Sequence, residues 1–312
     1  MMRAVFMGTP DFSVPVLSAM AQAEDIEVVG VVTQPDRPKG RKGDLVPSPV
    51  KEEALKYNIP LLQPEKIRQP EAVEQLRAWN PDVIVVVAFG QILTRDVLEI
   101  PRMGCINVHA SLLPKYRGAA PIQYAVLDGL KETGVTTMYM DEGLDTGDIL
   151  LQQVVPIAEK ETGGSLFDKL SEVGAGLLIR TLEGLSRGEI ERRPQTGESG
   201  YVGMIKKSMG EIDWSRSAEE IERQIRGLDP WPSAYTYRNG RMLKLWGADV
   251  LSGCAGEASP GEVAEVQKDR VLLQTGEGIL AVTALQPEGK KRMAAADYLR
   301  GYPVSVGERW GR

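Results

Sequence analysis

The sequence predicts an α/β protein, with a mostly parallel sheet domain first and a small β-barrel domain after it. Three observations carry this. Short Val- and Ile-rich runs alternate with segments of helical period through the first part of the chain, as βαβ units require. Near residue 188 the composition turns polar and rich in Gly and Pro, as a linker does. Beyond that point several short strand-like runs follow one another across tight turns, the pattern of a small barrel. A length of 312 residues suits two domains of roughly 150 each.

Taken in order, "RAVFMG", "EVVGVVTQ", "DVIVVVAFG" and "GCINVHAS" are continuous apolar runs that end in turn residues, and such runs fit strands buried on both faces. Between them, "PDFSVPVLSAMAQA", "SPVKEEALKY" and "PEAVEQLRAW" place apolar residues at helical spacing. "GVTTMYM" and "ILLQQVVPI" predict two more strands on either side of "DEGLDTGD". The stretch after them sets Leu166, Leu170, Val173, Leu177 and Leu185 along one stripe, so an amphipathic helix should pack on the sheet. "RGEIERRPQTGESGYVG" reads as linker, which divides the chain into 1–188, a linker over 189–206, and 207–312. In the last part, Ser217 and Glu220 stand at capping-box spacing before "AEEIERQIRGL". Asn239-Gly240 signals a hairpin, and "GEVAEVQKDRVLLQTGEGILAVTALQP" holds three further strands.

Composition narrows the function. With 42% hydrophobic residues and 26% charged ones the chain can bury a core. A net charge of −6 argues against a generally basic nucleic-acid binder. Residues 207–312 carry equal numbers of acidic and basic groups, so the excess negative charge lies in residues 1–206. Basic clusters stand out at Arg37, Lys39, Arg41 and Lys42, at Lys206 and Lys207, and at Lys290, Lys291 and Arg292; as charge patterns alone they fit solvated faces equally well. Cys105 and Cys254 are far apart and there is one histidine, so no zinc site is expected and both cysteines should be free thiols in a reducing compartment. The start, "MMRAVFMGTPDF", lacks the apolar run of a signal peptide. No stretch is long enough to span a membrane, so a cytoplasmic protein is expected.

That one histidine, His109, lies in "INVHASLLPKYRGAAPIQ". Asn107 and His109 alternate along the predicted strand, so they point to one side with Val108 opposite. They sit near the end of the strand, where open α/β sheets bind ligands. An amide donates hydrogen bonds, and an imidazole donates or transfers a proton. Downstream, "MDEGLDTGDI" offers Asp141, Asp145 and Asp148 in a Gly-rich loop; a carboxylate beside a histidine fixes its tautomer. A lone histidine or asparagine is usually only a satisfied polar residue, but N-x-H-x-S-L-L-P followed by D-x-G-D is far more specific. G-x-S-x-G, P-loop and G-x-G-x-x-G motifs are all missing, and "MGTPDFS" lacks the second glycine that dinucleotide binding needs.

At these residues the sequence resembles the folate-dependent formyltransferases. The resemblance implies a Rossmann-like catalytic domain with Asn107, His109 and Asp145 as the catalytic set. It also implies that Ser111, Leu112, Leu113 and Pro114 form the segment contacting tetrahydrofolate. It covers essentially the whole chain. "FMGTPDFSVPVL", the insertion "TQPDRPKGRKGDLVPSPVK" and the C-terminal "IDWSRSAEEIERQIRGLDPWP" and "LQPEGKKRM" resemble the branch of the family that acts on methionyl initiator tRNA. That branch implies an OB-like, tRNA-contacting second domain and 10-formyltetrahydrofolate as co-substrate, with no metal. It implies tRNA contacts from Arg41, and Arg37, Lys42, Lys206 and Lys207 are basic candidates to join them. The segment from Asp36 to Asp44 should be a mobile loop that reaches the acceptor end, and the protein a monomer. "SGYVGMI" departs from the family wording around Tyr201. Two alternatives remain open: a formyltransferase for a small amine such as an aminosugar nucleotide, and a non-catalytic RNA-binding protein.

Overall fold

The computed structural model of the chain describes residues 1–39, 43–253 and 258–311. Arg41, Lys42 and Cys254 therefore lie outside the described residues. In chain order, β1 (Met2–Gly8) leads through a 3-10 turn to α1 (Val14–Gln22), β2 (Ile26–Val32), β3 (Arg37–Lys39) and β4 (Asp44–Val46). Then come α2 (Pro49–Lys56), β5 (Leu61–Leu62), α3 (Pro70–Trp79), β6 (Val83–Val87), α4 (Arg95–Leu98), β7 (Cys105–His109) and β8 (Arg117–Gly118). They are followed by α5 (Pro121–Leu127), β9 (Glu132–Tyr139), β10 (Ile149–Pro156), α6 (Gly163–Ser186) and β11 (Tyr201–Val202). The last part holds α7 (Ala218–Gly227), β12 (Ala234–Arg238), β13 (Arg241–Leu251), β14 (Val263–Val266), β15 (Val271–Gln274), β16 (Ile279–Pro287), β17 (Met293–Ala294) and α8 (Ala295–Gly301).

The chain forms two compact units. The first comprises residues 1–121, 132–156 and 167–202; the second comprises 122–131, 157–166 and 203–312. The boundaries read from sequence, at 188 and 206, are simpler than this, because residues 189–202 group with the first unit and two short earlier segments group with the second.

The first unit is built on a seven-stranded sheet in the order β10-β9-β7-β6-β1-β2-β5. From β5 to β7 every pairing is parallel, and β9 runs antiparallel to both β7 and β10. All of β6 is buried, which is why its sequence is a continuous apolar run and not an alternation. The helix α6 buries Leu170 and Leu177 as the stripe predicts, but Val173 and Leu185 are only half-buried. The buried face turns instead toward Leu178, Thr181 and Leu182, and the Thr181 hydroxyl lies 2.8 Å from that of Thr137 on β9. A helix of this length drifts relative to a straight stripe. The segment read as a loop from Asp36 to Asp44 has paired arms: Arg37 opposes Val46, Pro38 opposes Leu45 and Lys39 opposes Asp44. Its prolines and glycines hid the hairpin from a pattern-based reading.

The second unit carries an antiparallel sheet in the order β12-β13-β16-β15-β14, with β17 beside β16. Asn239 and Gly240 both take positive φ, 51° and 73°, and turn β12 into β13 as the hairpin signal predicts. The Ser217 side chain accepts from Glu220 N while Glu220 returns the bond, so the capping box forms. Trp214, Ile221, Leu245, Leu273, Leu285 and Trp310 belong to one core. The gap between the outer strands β14 and β12 is bridged by the last described residues: Trp310 N donates to Gly261 O at 2.7 Å and Gly311 N to Tyr237 O at 2.8 Å. Arg238 grips Glu308 with two guanidinium nitrogens across the same seam.

Candidate active site

Strand β7 ends on the half-buried Asn107 and the buried His109. Both are registered on each flank or on one: Asn107 lies opposite Val86 of β6 and Met138 of β9, and His109 opposite Thr136. Strand pleat sends both side chains to one face. His109 Nε2 lies 2.9 Å from Tyr116 O. A carbonyl only accepts, so Nε2 carries a proton there and Nδ1 is left as the nitrogen free to exchange one. Nδ1 faces Asp145 Oδ2 at 3.7 Å, beyond direct hydrogen-bond range. Asn107 Nδ2 approaches Asp145 Oδ1 at 3.5 Å. The sequence-predicted trio thus converges on one spot.

Asp145 comes from the loop between β9 and β10 and has a left-handed backbone, φ 55°. Its Oδ2 accepts from Gly118 N at 2.8 Å. Gly118 itself has φ 106°, and a Cβ there would meet Val202 O at 2.4 Å, so glycine is required. The neighbouring aspartates do other work. Asp141 accepts from Gly143 N and Thr146 Oγ1 and so shapes its own loop, and Asp148 lies 3.6 Å from Arg192.

The turn from Ser111 to Pro114 is tied inward. Ser111 Oγ donates to Lys115 O at 2.7 Å, and Gln152 Nε2 donates to Leu113 O at 3.0 Å. Leu113 is buried with Met138 and Ile149, while Leu112 and Pro114 remain half-buried. Of this segment, then, Leu112 and Pro114 offer apolar surface, and Leu113 is core. Arg37 is exposed on the hairpin arm and donates to Gln34 Oε1 at 3.4 Å. Lys206 and Lys207 are exposed in the second unit.

Sequence reasoning missed four contributors: Tyr116, Arg117, Gly118 and Gln195. Strand β8 pairs with β11 in parallel, Arg117 with Tyr201 and Gly118 with Val202. Arg117 Nε and Nη2 donate to Gln195 Oε1 at 3.0 and 2.7 Å, and Gln195 Nε2 donates to the carbonyls of Asp145 and Gly147, both at 2.8 Å. The stretch that reads as linker is therefore wired into the site. The glycine of "YRG" soon after the S-L-L-P turn was the available signal, since glycine suits a strained turn or a close backbone approach.

Elsewhere the chemistry is quieter. Burial pushes the Cys105 thiol up to about 12, so it is not a nucleophile. Among the described residues no group of three or more His, Cys, Asp and Glu side chains is arranged to hold a metal. A cavity of about 390 Å³ in the second unit is lined by Lys131, Lys160, Glu222, Arg226 and Asp249 among others. Its charges serve one another: Lys160 lies 2.9 Å from Asp249, and Arg226 lies 2.7 Å from Glu222.

Residues 2–182 match the family model described as formyl transferase, and residues 204–303 match formyl transferase, C-terminal domain. The chain is 56% identical over 311 residues to a methionyl-tRNA formyltransferase of Lachnospira eligens, covering 98% of each chain. It is 52% identical over 310 residues to one of Bacillus subtilis, covering 99% of this chain and 97% of the other. Among solved structures, an N-formyltransferase from Helicobacter canadensis in complex with folinic acid and dTDP-3-aminofucose shares the fold at 19% identity and a TM-score of 0.65, over 90% of this chain and 99% of that one. HypX from Aquifex aeolicus in complex with tetrahydrofolic acid matches at 17% identity and a TM-score of 0.62 over 98% of this chain, which spans 48% of that chain.

Proposed function

The chain belongs to the formyl transferase family, and from that premise we propose that Asn107, His109 and Asp145 carry its reaction, the formylation of methionyl initiator tRNA. The substrate follows from near-full-length identity to methionyl-tRNA formyltransferases, the C-terminal unit included. The observation that supports the residue assignment most is the convergence at the end of β7, with Nδ1 of the only histidine facing Asp145 across 3.7 Å.

The co-substrate is 10-formyltetrahydrofolate, which supplies the formyl group. The half-buried apolar edges of Leu112 and Pro114, next to Asn107 and His109 in sequence, suit its ring. When the methionyl α-amine attacks, negative charge builds on the formyl oxygen and the amine must shed a proton. Asn107 Nδ2 donates to that oxygen; one such donor lowers the barrier by about 3 kcal/mol. The new carbon–nitrogen bond forms and the bond from the formyl carbon to N10 breaks. The proton shed by the amine passes through His109 Nδ1 to N10, which leaves as the amine of tetrahydrofolate, while Tyr116 O holds Nε2. Asp145 faces Nδ1 across 3.7 Å and steadies the imidazolium formed when that nitrogen takes the proton. An α-amine with a pKa of roughly 7.7–8.0 is already partly neutral near pH 7, so no strong base is required. No metal enters this scheme.

Recognition of the tRNA is assigned to the exposed basic residues Arg37, Lys206 and Lys207 and to Arg41 and Lys42. The segment 1–188 acts as the catalytic domain and 207–312 as the tRNA-contacting one. By the family resemblance the protein works as a cytoplasmic monomer. Among the described residues no helix is long and apolar enough to cross a membrane. The decisive assay compares formylation of charged initiator tRNA with that of aminosugar nucleotides; turnover of the sugar alone would overturn the substrate assignment. Arg41→Ala should raise KM for tRNA with little effect on the folate KM. It should also reduce the log–log salt slope of tRNA binding by about one unit.

A further inference from the structure

Asp145 can serve His109 only if its loop holds a backbone that the chain would not choose freely. A left-handed residue other than glycine costs on the order of 1 kcal/mol, and aspartate tolerates it better than most. Its carboxylate is fixed at one end by Gly118 N. Its own carbonyl, at the other end, accepts from Gln195 Nε2, which also holds the carbonyl of Gly147 two residues on. Gln195 in turn cannot rotate freely, because Arg117 donates twice to its side-chain oxygen. Arg117 precedes Gly118, and the two pair through their backbones with β11. Residues 118, 145, 195 and 117 thus close a ring of contacts. Within 191–200 every residue is exposed except Gln195, which is half-buried. A mere connector has no reason to sink one residue, the one that points two amide hydrogens at a functional loop.

We propose that Gln195 is a positioning residue. It sets the backbone of Asp145, and through it the placement of the carboxylate against His109, while touching no substrate itself. This rests on the reading of Asp145 and His109 as catalytic. A lever of this kind acts on geometry: displacing a reacting group by ~1 Å costs on the order of 10²-fold in rate.

The test exploits the difference between the two ends of the glutamine. Gln195→Glu keeps an oxygen for Arg117 and makes that bond charge-assisted, but replaces the donor with an oxygen facing two carbonyls. Gln195→Met removes both ends. If Gln195 only fastens the segment down, Met lowers the melting temperature and Glu restores both it and turnover. If Gln195 positions Asp145, Glu restores the melting temperature while kcat stays down by roughly 10–100-fold, with KM for tRNA and folate within about threefold. Because His109 is the only imidazole, its ring 15N and 1H resonances are unambiguous. Measured at fixed pH without substrates, they should move in both variants as they do in Asp145→Asn. Unchanged His109 resonances and kcat within twofold of the parent in Gln195→Glu would overturn the proposal. Full turnover by Asp145→Asn would instead overturn the catalytic reading, and the resonance comparison would still decide whether Gln195 sets the loop.

Discussion

The two sides of the site are held by different means. Asn107 and His109 stand on a strand whose place is dictated by ladders to β6 and β9. Asp145 stands on a loop whose place is dictated by a backbone amide and a side chain, from Gly118 and Gln195. A ladder repeats its bonds at every residue and survives the loss of any one side chain. A loop held by single contacts, each made by a different group, does not. The strand side should therefore lose chemistry without losing shape when altered, and the loop side should lose both the geometry and its reproducibility.

The sharpest test of the strand side is His109→Ala. Turnover should fall by roughly 10³-fold, as loss of a general acid–base group does, while the melting temperature changes by only a few degrees; steady-state kinetics and calorimetry check both. Normal turnover would remove the imidazole from the mechanism. Leu113→Asp would break the same side from beneath. Leu113 is buried with Met138 and Ile149, and an unpaired charge there should cost at least ~3 kcal/mol of stability. Denaturant unfolding reads this, and folate affinity lost without loss of stability would show that Leu113 faces a ligand after all. On the loop side, Gly118→Ala should destabilise by about 2 kcal/mol through the clash with Val202 O. Its rate loss should be larger than that of an equally destabilising core variant; equal losses would mean that the approach of β8 to β11 is purely structural.

The smallest effect serves as a control far from the comparison. The Arg238 guanidinium holds the Glu308 carboxyl below the usual carboxylate range. A depressed carboxylate pKa contributes stability above its unfolded value, ~4.3, and loses it as pH falls through the folded value. Glu308→Gln should thus be less stable by up to about 1 kcal/mol at pH 7, with the gap closing as pH falls below ~4.3 and formylation unaffected. Thermal melts across pH check the closure, and a gap that widens in acid would reverse the sign assigned to this pair.

Much of this was legible in the sequence. The parallel strands announced themselves because burial on both faces forces continuous apolar runs. Asn107 and His109 stood out because strand alternation puts them on one face; the Gly-rich loop offered Asp141, Asp145 and Asp148 alike, and only the family resemblance singled out Asp145. Most of the hidden parts depend on hydrogen bonds between residues distant in sequence; the β3–β4 pairing is the local exception, masked by its prolines. Arg117 and Gln195 are 78 positions apart, and the polar composition that lets 189–202 cross the first unit is the same composition a free linker has. The closure of the second sheet by Trp310 and Gly311 was equally invisible, since backbone donors leave no mark on residue type.

To a protease, the stretch 196–200, polar and exposed beyond the Arg193–Ile149 bridge, looks like bait. A single cut after Gln195 would leave it joined to the fold through the Arg193 arm alone. The glutamine could still dock on the loop. Its effective concentration there would fall as the arm gained freedom, so the docked fraction would become a matter of tether length. A nicked enzyme would keep both folded units and every catalytic side chain, yet work intermittently, in proportion to the time its anchor is home.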